Sequence, residues 1–233
     1  MAKSARKPQP QRQTPTPLNG KVRSARAAGK PQERRSVGAP GSPLPPVRLP
    51  NAARRSREYL TPDEVEKVLA AAGKAGRHGH RDRTLILLAF RHALRVSELV
   101  ALHWDQVDLK AGTLHVARIK NGLPSSHPLR GPELRALREL LRLYAESPYL
   151  FVTERGGPMT TSTVRKLVAR AGVLARLPFP IHPHMLRHAA GYKLANDGHD
   201  TRAIQQYLGH KNIIHTVRYT EMSPERFKGF WKD

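Results

Sequence analysis

Apolar residues recur at helical spacing along most of the chain from residue 58 onward. In the stretch TPDEVEKVLAAAG they fall on one face of a predicted helix, and this buried face consists of Val65, Val68, Leu69 and Ala72. Thr61 and Glu64 are spaced as a capping box at its start, and Gly73 is predicted to end it. The same kind of pattern and punctuation predicts the other helices.

Further helices are predicted over residues 82–92, 97–102, 132–145, 162–171, 183–196, 201–208 and 212–219. On the helix over 132–145 the predicted buried face consists of Leu134, Leu137, Leu141 and Tyr144. Strand patterns over 113–119 and 125–129 flank a KNG turn, which predicts a hairpin, and a brief strand is predicted over 150–152. The sequence therefore predicts a mainly α fold with a small antiparallel β-sheet.

Charge separates the chain into two parts. The whole chain has 41 Lys and Arg against 18 Asp and Glu, a formal charge of +23. Residues 1–57 hold 14 of the basic and 1 of the acidic side chains, and 10 of the 20 prolines precede residue 51. Because this segment has few large apolar side chains, it is predicted to be a disordered basic arm. It either follows the DNA backbone or serves as a solubilising tail.

Residues 58–233 are predicted to form one globular domain, since 176 residues suffice to bury a core. The chain has no cysteine, which excludes disulfides and thiolate metal sites. Its longest apolar run, LILLAF, is too short to span a bilayer, and the basic N-terminus lacks the apolar segment of a secretory signal. We therefore expect a soluble cytoplasmic protein without membrane partners.

The candidate chemistry is concentrated in the last fifty residues. HPHMLRH places His184 and Arg187 three residues apart, so both can point into one pocket from a single helix. LGH supplies His210, and HTVRYT supplies Tyr219. Arginines neutralise the phosphate charge that repels an attacking phenol oxygen. With Arg95 in ALRVSEL and Lys120 at the predicted hairpin tip, these residues can break a phosphodiester with a phenolic nucleophile and no metal or other cofactor.

The ordered set Arg95, Lys120, His184, Arg187, His210 and Tyr219 resembles the catalytic set of the tyrosine recombinases, also called the phage integrase family. IHPHMLRHAAGYKLANDGHDTRAIQQYLGHKNIIHTVRYT and RIKNGLPSSHPL are most similar to the fimbrial phase-switch invertases, which are small members of that family. The resemblance covers about residues 58–233. It implies the tyrosine recombinase catalytic-domain fold and site-specific recombination of double-stranded DNA.

The resemblance supports a role for each residue. Tyr219 attacks the scissile phosphorus and forms a 3′-phosphotyrosyl bond, with His184 as its base or proton relay. Two arginines, Arg95 and Arg187, hold the non-bridging oxygens, and His210 donates a further hydrogen bond. Lys120 protonates the leaving oxygen or, as is common for lysines at exposed turns, contacts DNA. The covalent intermediate stores the energy of the broken bond, so religation needs no nucleotide.

Other residues near the motifs have structural interpretations. Glu98 is predicted to pair with Arg95, and His188 to support the site or contact a backbone phosphate. Tyr192 and Tyr207 are predicted to be core residues. Three other functions remain open at this stage. They are a type IB-like topoisomerase acting as one protomer, a DNA-binding regulator without chemistry, and a basic nucleoid-type coat protein.

Two departures from the family pattern bear on function. Ala93 stands where many members have glycine, and its methyl group is expected to be tolerated in a tight turn. We expect no N-terminal helical domain of the kind that most members close around DNA, a domain that the fimbrial invertases also lack, and we therefore expect target choice to fall to the catalytic domain or to accessory DNA-bending proteins. Family synapsis implies a tetramer on DNA. The C-terminal SPERFKGFWKD docks on its own domain or on a neighbouring protomer.

Overall fold

The structure is a computed structural model that describes residues 57–118, 124–144, 146–221 and 227. Eight α-helices lie within them: α1 Pro62–Lys74, α2 Gly79–Arg91, α3 Val96–Val100, α4 Gly131–Leu143, α5 Thr161–Leu174, α6 Pro183–Asn196, α7 Thr201–Leu208 and α8 Ile214–Glu221. A single 3₁₀ turn spans Trp104–Gln106. None of the helices in the described part of the chain has the length and apolar character needed to cross a membrane.

Three short strands form one antiparallel sheet in the order β1 Val107–Asp108, β2 Thr113–Val116 and β3 Ser125–Pro128. Val116 pairs with Ser125 at the end of the β2–β3 ladder. Alternation of buried and exposed side chains continues beyond β2, because Ala117 is exposed and Arg118 is buried. The sheet therefore delivers a buried arginine just before the predicted lysine turn.

The core has two parts. The larger part packs apolar side chains from α1 to α6 and the sheet around residues such as Leu69, Leu88 and Leu137. The smaller part lies where α6, α7 and α8 meet the turn before α3, and it comprises Ala93, Ala190, Ala195, Ile204, Leu208 and Tyr219. Because the predicted nucleophile belongs to this smaller cluster, the packing of three helices determines its position.

The predicted mainly α fold with a small antiparallel sheet is confirmed. The capping box of α1 is present, with Glu64 N donating to Thr61 Oγ1 and Thr61 N donating to Glu64 Oε2. All four predicted buried residues of α1 are buried. Gly73 does not end this helix, which continues to Lys74, and the positive φ falls at Gly76 instead.

Two details of the sequence prediction are wrong. Of the four residues predicted on one side of α4, Leu137 is buried and Leu134 and Tyr144 pack against the core, while Leu141 is only half-buried. The helix also buries Ala136 and Leu140, which were not predicted. The buried face is rotated because Glu133, on the same helix, is itself buried beneath Arg91 and His92. Residues 150–152 form no strand. Val152 makes a single bridge to Pro158, whose missing N–H cannot extend a ladder.

Several predictions fall on residues that the structure does not describe. Lys120 and its turn lie outside the described residues, as do residues 1–56 of the basic arm and most of SPERFKGFWKD. Of that C-terminal segment Phe227 is described, and it is exposed. The division into an arm over 1–57 and a domain over 58–233 stays a prediction.

Candidate active site

Helix α6 presents three functional side chains along its first two turns. Pro183 occupies the first turn, where its missing N–H costs no hydrogen bond. His184, Arg187 and His188 follow at spacings of three and four residues, which brings them to adjoining positions on the helix surface. The rings of His184 and His188 meet edge to face with centroids 4.4 Å apart. The sequence therefore folds into an imidazole pair beside a buried guanidinium.

Arg187 is almost completely buried, with 1% of its surface exposed. Its Nη1 donates to the carbonyl of Ala93, and its Nη2 donates to the carbonyl of Leu208 at 2.6 Å. Burial and the nearby charges of Arg95 and Arg118 lower its pKa to about 9. The guanidinium remains protonated at neutral pH, and its two backbone bonds fix its orientation.

Arg95 immediately precedes α3 and is held by Glu98 of that helix. Its Nη1 donates to Glu98 Oε1 at 2.7 Å, and its backbone N–H donates to Glu98 Oε2 at 2.9 Å. The Arg95 side chain is 26% exposed, whereas that of Glu98 is 1% exposed. The predicted pairing of the two residues is thus observed, and Arg95 is the partner that faces solvent.

A third guanidinium lies behind these two. Arg118 has a completely buried side chain, and its Nη1 donates to Glu98 Oε2 at 2.9 Å. Its Nη2 donates to the carbonyl of Tyr207 near the end of α7. Sequence reasoning missed this residue. The signal that could have found it is the strand alternation, which places Arg118 on the buried face with Leu114 and Val116.

Tyr219 lies on α8 with its side chain turned into the protein. The residue is 2% exposed, and its hydroxyl is 2.7 Å from Nδ1 of His188. Burial raises the pKa of Tyr219 to about 12, although the charges of Arg187 and Arg218 act in the opposite direction. The resting phenol is therefore protonated and covered, and it is paired with an imidazole.

The tyrosine ring has a close-fitting seat on α6. A Cβ atom placed at Gly191 would lie 2.8 Å from two carbons of the Tyr219 ring, so only glycine leaves room for it. Tyr192 packs edge to face against the same ring with centroids 5.0 Å apart. It is half-buried and also contacts Tyr59, which agrees with its interpretation as a packing residue.

His210 reaches the site through the turn that follows α7. Gly209 adopts a left-handed conformation with φ +65°, which ends α7. The imidazole Nδ1 of His210 is 2.9 Å from Thr216 Oγ1, and its ring lies nearly parallel to that of Tyr219 with centroids 6.4 Å apart. Burial and the charge of Arg187 lower the pKa of His210 to about 3.

The other two imidazoles of the site are also neutral at pH 7. Burial and the nearby His184 and arginines lower the pKa of His188 to about 3. The side chain of His184 is exposed, yet desolvation by surrounding protein and the charges of Arg187 and Arg95 lower its pKa as well. Neutral imidazoles each have one lone pair, so the site contains proton acceptors next to the phenol.

An open depression of about 680 Å³ adjoins Arg95 and His210. Its lining includes the cationic side chains of Arg202 and Lys211 and contains no carboxylate among the described residues. Behind it, the carboxylate of Glu98 pairs with Arg95 and Arg118, and the guanidinium of Arg187 lies close enough to feel its charge. The surroundings of the depression therefore favour an anion.

The structure brings together five of the six predicted site residues. The depression is lined by Arg95 and His210, and the guanidinium of Arg187 lies near that of Arg95. Tyr219 packs against His210, and His184 lies one helical turn from His188. Lys120 falls outside the described residues. The site roles of all six stay predictions. Elsewhere in the described part of the chain, no group of three His, Cys, Asp or Glu side chains is arranged to hold a metal ion.

Comparison with known proteins places this geometry in a family. The model of the phage integrase family matches residues 58–226. The type 1 fimbriae regulatory protein FimE of Escherichia coli K12 is 43% identical over 182 residues, which are 76% of this chain and 91% of that protein. Tyrosine recombinase XerC of Bacillus subtilis is 31% identical over 195 residues, covering 80% of this chain and 64% of XerC.

Two solved structures show the same fold. The XerA recombinase superposes with a TM-score of 0.64 at 28% identity, over 71% of this chain and 61% of XerA. The XerH site-specific recombinase, in a pre-cleavage complex with its difH substrate, gives 0.60 at 26% identity, over 70% of this chain and 50% of XerH. The chain thus spans about half to three fifths of those two chains. The match over residues 58–226 and the 43% identity to FimE confirm the predicted resemblance, and the chain belongs to the phage integrase family, the tyrosine recombinases.

Proposed function

We propose that this chain is a site-specific DNA recombinase that cuts and rejoins double-stranded DNA through a 3′-phosphotyrosyl bond to Tyr219. The observation that carries the proposal is the placement of the Tyr219 phenol against a neutral imidazole, near guanidiniums that outnumber the carboxylates paired with them among the described residues. FimE and the Xer proteins support the same activity, and XerH binds a DNA substrate.

The charge of the arginines suits a phosphodiester. A phosphodiester repels an attacking oxygen until its non-bridging oxygens are neutralised, and further negative charge develops in the transition state. Arg95 is exposed enough to contact the DNA, and Arg187 is oriented by the carbonyls of Ala93 and Leu208. Because both side chains are already oriented, little reorganisation is needed when the phosphate binds. His210 supplies a further donor at the edge of the depression.

The phenol proton passes to an imidazole as the oxygen attacks phosphorus. His188 Nδ1 is the acceptor within hydrogen-bond distance at rest, and His184, the base predicted from sequence, is its ring neighbour. Without DNA the pKa of His188 is about 3, which makes it a weak base. A bound phosphate anion offsets the arginine charges, which raises the pKa of these histidines and strengthens them as bases.

The leaving 5′-oxygen receives a proton from Lys120, and religation reverses these steps without a nucleotide. Because Tyr219 is covered at rest, α8 moves before the phenol oxygen reaches DNA.

Four protomers act on two duplexes, and accessory DNA-bending proteins assist where the geometry of the site requires it. The enzyme works in the cytoplasm on nucleoid DNA. The basic arm adds affinity through phosphate contacts without reading sequence.

The experiment uses nicked suicide duplexes that tile the DNA flanking the chain's own gene. The nick lets the cleaved end diffuse away, so a covalent protein–DNA adduct accumulates and is counted on a denaturing gel. We expect the adduct from the unaltered chain and its loss in Tyr219→Phe. The matched control is Tyr207→Phe, which removes a hydroxyl that donates to the carbonyl of Arg91 and should leave the adduct in place.

An adduct that persists in Tyr219→Phe would contradict the proposal by moving the nucleophile elsewhere. Histidine roles are separated in the same assay. If His188→Asn slows cleavage more than His184→Asn does, the resting hydrogen bond marks the proton acceptor, and the reverse order favours His184. Relaxation of supercoiled plasmid without any preferred site would indicate a type IB-like topoisomerase instead.

A further inference from the structure

We infer that Arg118 is a positioning residue for DNA cleavage, which acts by holding Glu98, and through it Arg95, against the turn that carries His210. The inference rests on the proposed function, because Arg95 and His210 are its proposed phosphate-binding residues. The side chain of Arg118 has no exposed surface and cannot touch DNA. Its influence on the reaction must therefore pass through its neighbours.

The first link is the carboxylate of Glu98. Its Oε2 accepts from Arg118 Nη1 at 2.9 Å, and its Oε1 accepts from Arg95 Nη1 at 2.7 Å. One buried carboxylate thus connects a hidden guanidinium with one that is 26% exposed. If Arg118 were lost, Glu98 would have only Arg95 as its cationic partner and would be free to rotate, and the Arg95 guanidinium would rotate with it.

The second link is the C-terminal end of α7. Arg118 Nη2 donates to the carbonyl of Tyr207, and Arg187 Nη2 donates to the next carbonyl, that of Leu208, at 2.6 Å. Carbonyls at a helix C-terminus have no partner within the helix and have partial negative charge, so they favour cations. Two guanidiniums therefore cap the helix end from which the chain turns toward His210.

Gly209 shows how closely Arg118 packs on that turn. A Cβ atom at Gly209 would lie 2.7 Å from Arg118 Nε, and the residue also has φ +65°. Both observations require glycine here. Arg118 therefore contacts the residue immediately before His210, and any shift of its side chain is transmitted to the imidazole.

Only an arginine can make both links at once. Its planar fork donates in two fixed directions, whereas the lysine ammonium is one compact charge at the end of a flexible stem. Arg118 also stands two residues before Lys120 in the sequence. The strand end that leads to the predicted general acid is thus fixed to the same network as the two proposed phosphate ligands.

The test compares Arg118→Met and Arg118→Lys on two nicked duplexes of the same sequence. One has an ordinary scissile phosphodiester, and the other has a methylphosphonate, in which a methyl group replaces one non-bridging oxygen and removes the negative charge. Misplacement of a catalytic group by about 1 Å costs on the order of 10²-fold in rate, so we expect that loss on the phosphodiester. The loss of cleavage rate should be several-fold smaller on the methylphosphonate duplex, because a neutral linkage depends less on the charge of Arg95.

Arg81→Met is the matched control. Arg81 is also buried and bonds one carboxylate, that of Asp82, and one backbone carbonyl, that of Val152, but it lies away from the site. The folded Arg81→Met variant should cleave both duplexes at the rates of the unaltered chain. An equal loss on both duplexes in the Arg118 variants would overturn the inference by showing a general structural defect, and so would no loss at all.

The position of the Arg95 side chain is also tested by NMR, without any DNA cleavage. In ¹⁵N-arginine NMR spectra the Arg95 Nε–H signal should shift in Arg118→Met and stay in place in Arg81→Met. An unmoved signal contradicts the inference even if no adduct forms with any duplex. Failure of the proposed function has a different signature, since it removes the Tyr219-dependent adduct from the unaltered chain and leaves the NMR comparison intact.

Discussion

Two buried polar clusters lie next to each other in this protein and differ in how their charges are matched. The arginine cluster comprises Arg95, Glu98, Arg118 and Arg187. The histidine cluster comprises His92, Ser125, His127, Glu133 and Tyr207. They are connected through the chain, because His92 lies three residues before Arg95. Their comparison suggests how a polar cluster proposed to bind a phosphate differs from one whose charges are balanced within the protein.

In the histidine cluster the side chains face one another at short distances, and the carboxylate of Glu133 also pairs with Arg91. His92 Nε2 lies 2.8 Å from Glu133 Oε1, and its Nδ1 lies 3.2 Å from His127 Nδ1. His127 continues the chain to Ser125 Oγ at 2.8 Å and stacks on Tyr207. The arginine cluster instead has three guanidiniums near one described carboxylate. Both clusters adjoin a depression, the histidine cluster through His92, Glu133 and Tyr207 and the arginine cluster through Arg95. Unmatched positive charge next to an opening favours an external anion, whereas the carboxylate of Glu133 is balanced by Arg91.

The largest expected effect is a difference in covalent adduct formation between variants of the two clusters. Arg187→Ala removes a cation that the developing phosphate charge requires, so adduct formation should fall by at least about 10²- to 10³-fold. His127→Leu, in the other cluster, should change it by less than about threefold once folded, because a neutral imidazole away from the depression contributes no charge to the phosphate. The measurement is the single-turnover rate on nicked duplexes. Equal losses in the two variants would break the distinction.

Gly191→Ala probes the seat of the nucleophile beside the arginine cluster. The added methyl group overlaps the Tyr219 ring, and overpacking of this kind costs typically 1–3 kcal/mol of unfolding free energy. We expect the ring to be displaced, so that the pKa of Tyr219 falls from about 12 toward the ordinary value of about 10. Spectrophotometric titration of tyrosine measures this change.

The control for the glycine test is Gly157→Ala, where a Cβ atom meets nothing within 4 Å. It should leave both the unfolding free energy and the tyrosine titration unchanged. A Gly191→Ala variant with normal stability and an unshifted titration would show that the ring is not confined by α6.

The pH dependence of stability tests the histidine cluster. Burial and the nearby His92 and Arg118 lower the pKa of His127 to about 3, whereas an unfolded histidine titrates near 6.5. The neutral His127 leaves the free energy of unfolding at its full value above pH 6.5. This free energy decreases as the pH falls toward 3, because only the unfolded chain takes up the proton. Between pH 6.5 and pH 5 this amounts to up to about 2 kcal/mol.

Urea unfolding at pH 7.5 and pH 5 measures that loss. His127→Gln should reduce it, and His199→Gln, which changes an exposed histidine, should not. If both variants keep the full pH dependence, the loss originates in other groups of the protein.

The smallest effect concerns Ala93, which lies between the two clusters with φ +50° and no exposed surface. Glycine there relieves roughly 1–2 kcal/mol of left-handed strain but loses a buried methyl group of about 0.8 kcal/mol and adds chain flexibility. The unfolding free energy of Ala93→Gly should therefore stay within about 1 kcal/mol of the unaltered chain. Ala93→Val should be clearly less stable, and a stable valine variant would contradict the described turn.

Local patterns predicted most of the helices well. The capping box of Thr61 and Glu64 follows from short-range chemistry, and it is present. Spacing alone placed His184 and Arg187 on one helix, and the chain motifs identified the family. The same local patterns predicted the buried face of α4 incompletely, because the burial of Glu133 depends on Arg91 and His92, more than forty residues earlier.

The contacts that the sequence could not predict are long-range ones. Arg118 meets Tyr207 across 89 residues, and Arg187 meets the Ala93 carbonyl across 94. The hydrogen bond between His188 and Tyr219 depends on how α8 docks on α6, which no spacing rule determines. A buried arginine looks like any other basic residue in a chain with 41 of them. Its role emerges only when three elements of the fold meet.

The covered phenol of Tyr219 also has a consequence for safety. An enzyme that cut DNA at every encounter with a chromosome would be a hazard to its host. Here Tyr219 is 2% exposed, and its hydroxyl is engaged with an imidazole. Under the proposed function, a single molecule that scans a genome would therefore leave it intact. Strand scission would wait until α8 is drawn away from Gly191, so its timing would be set by docking and not by encounter.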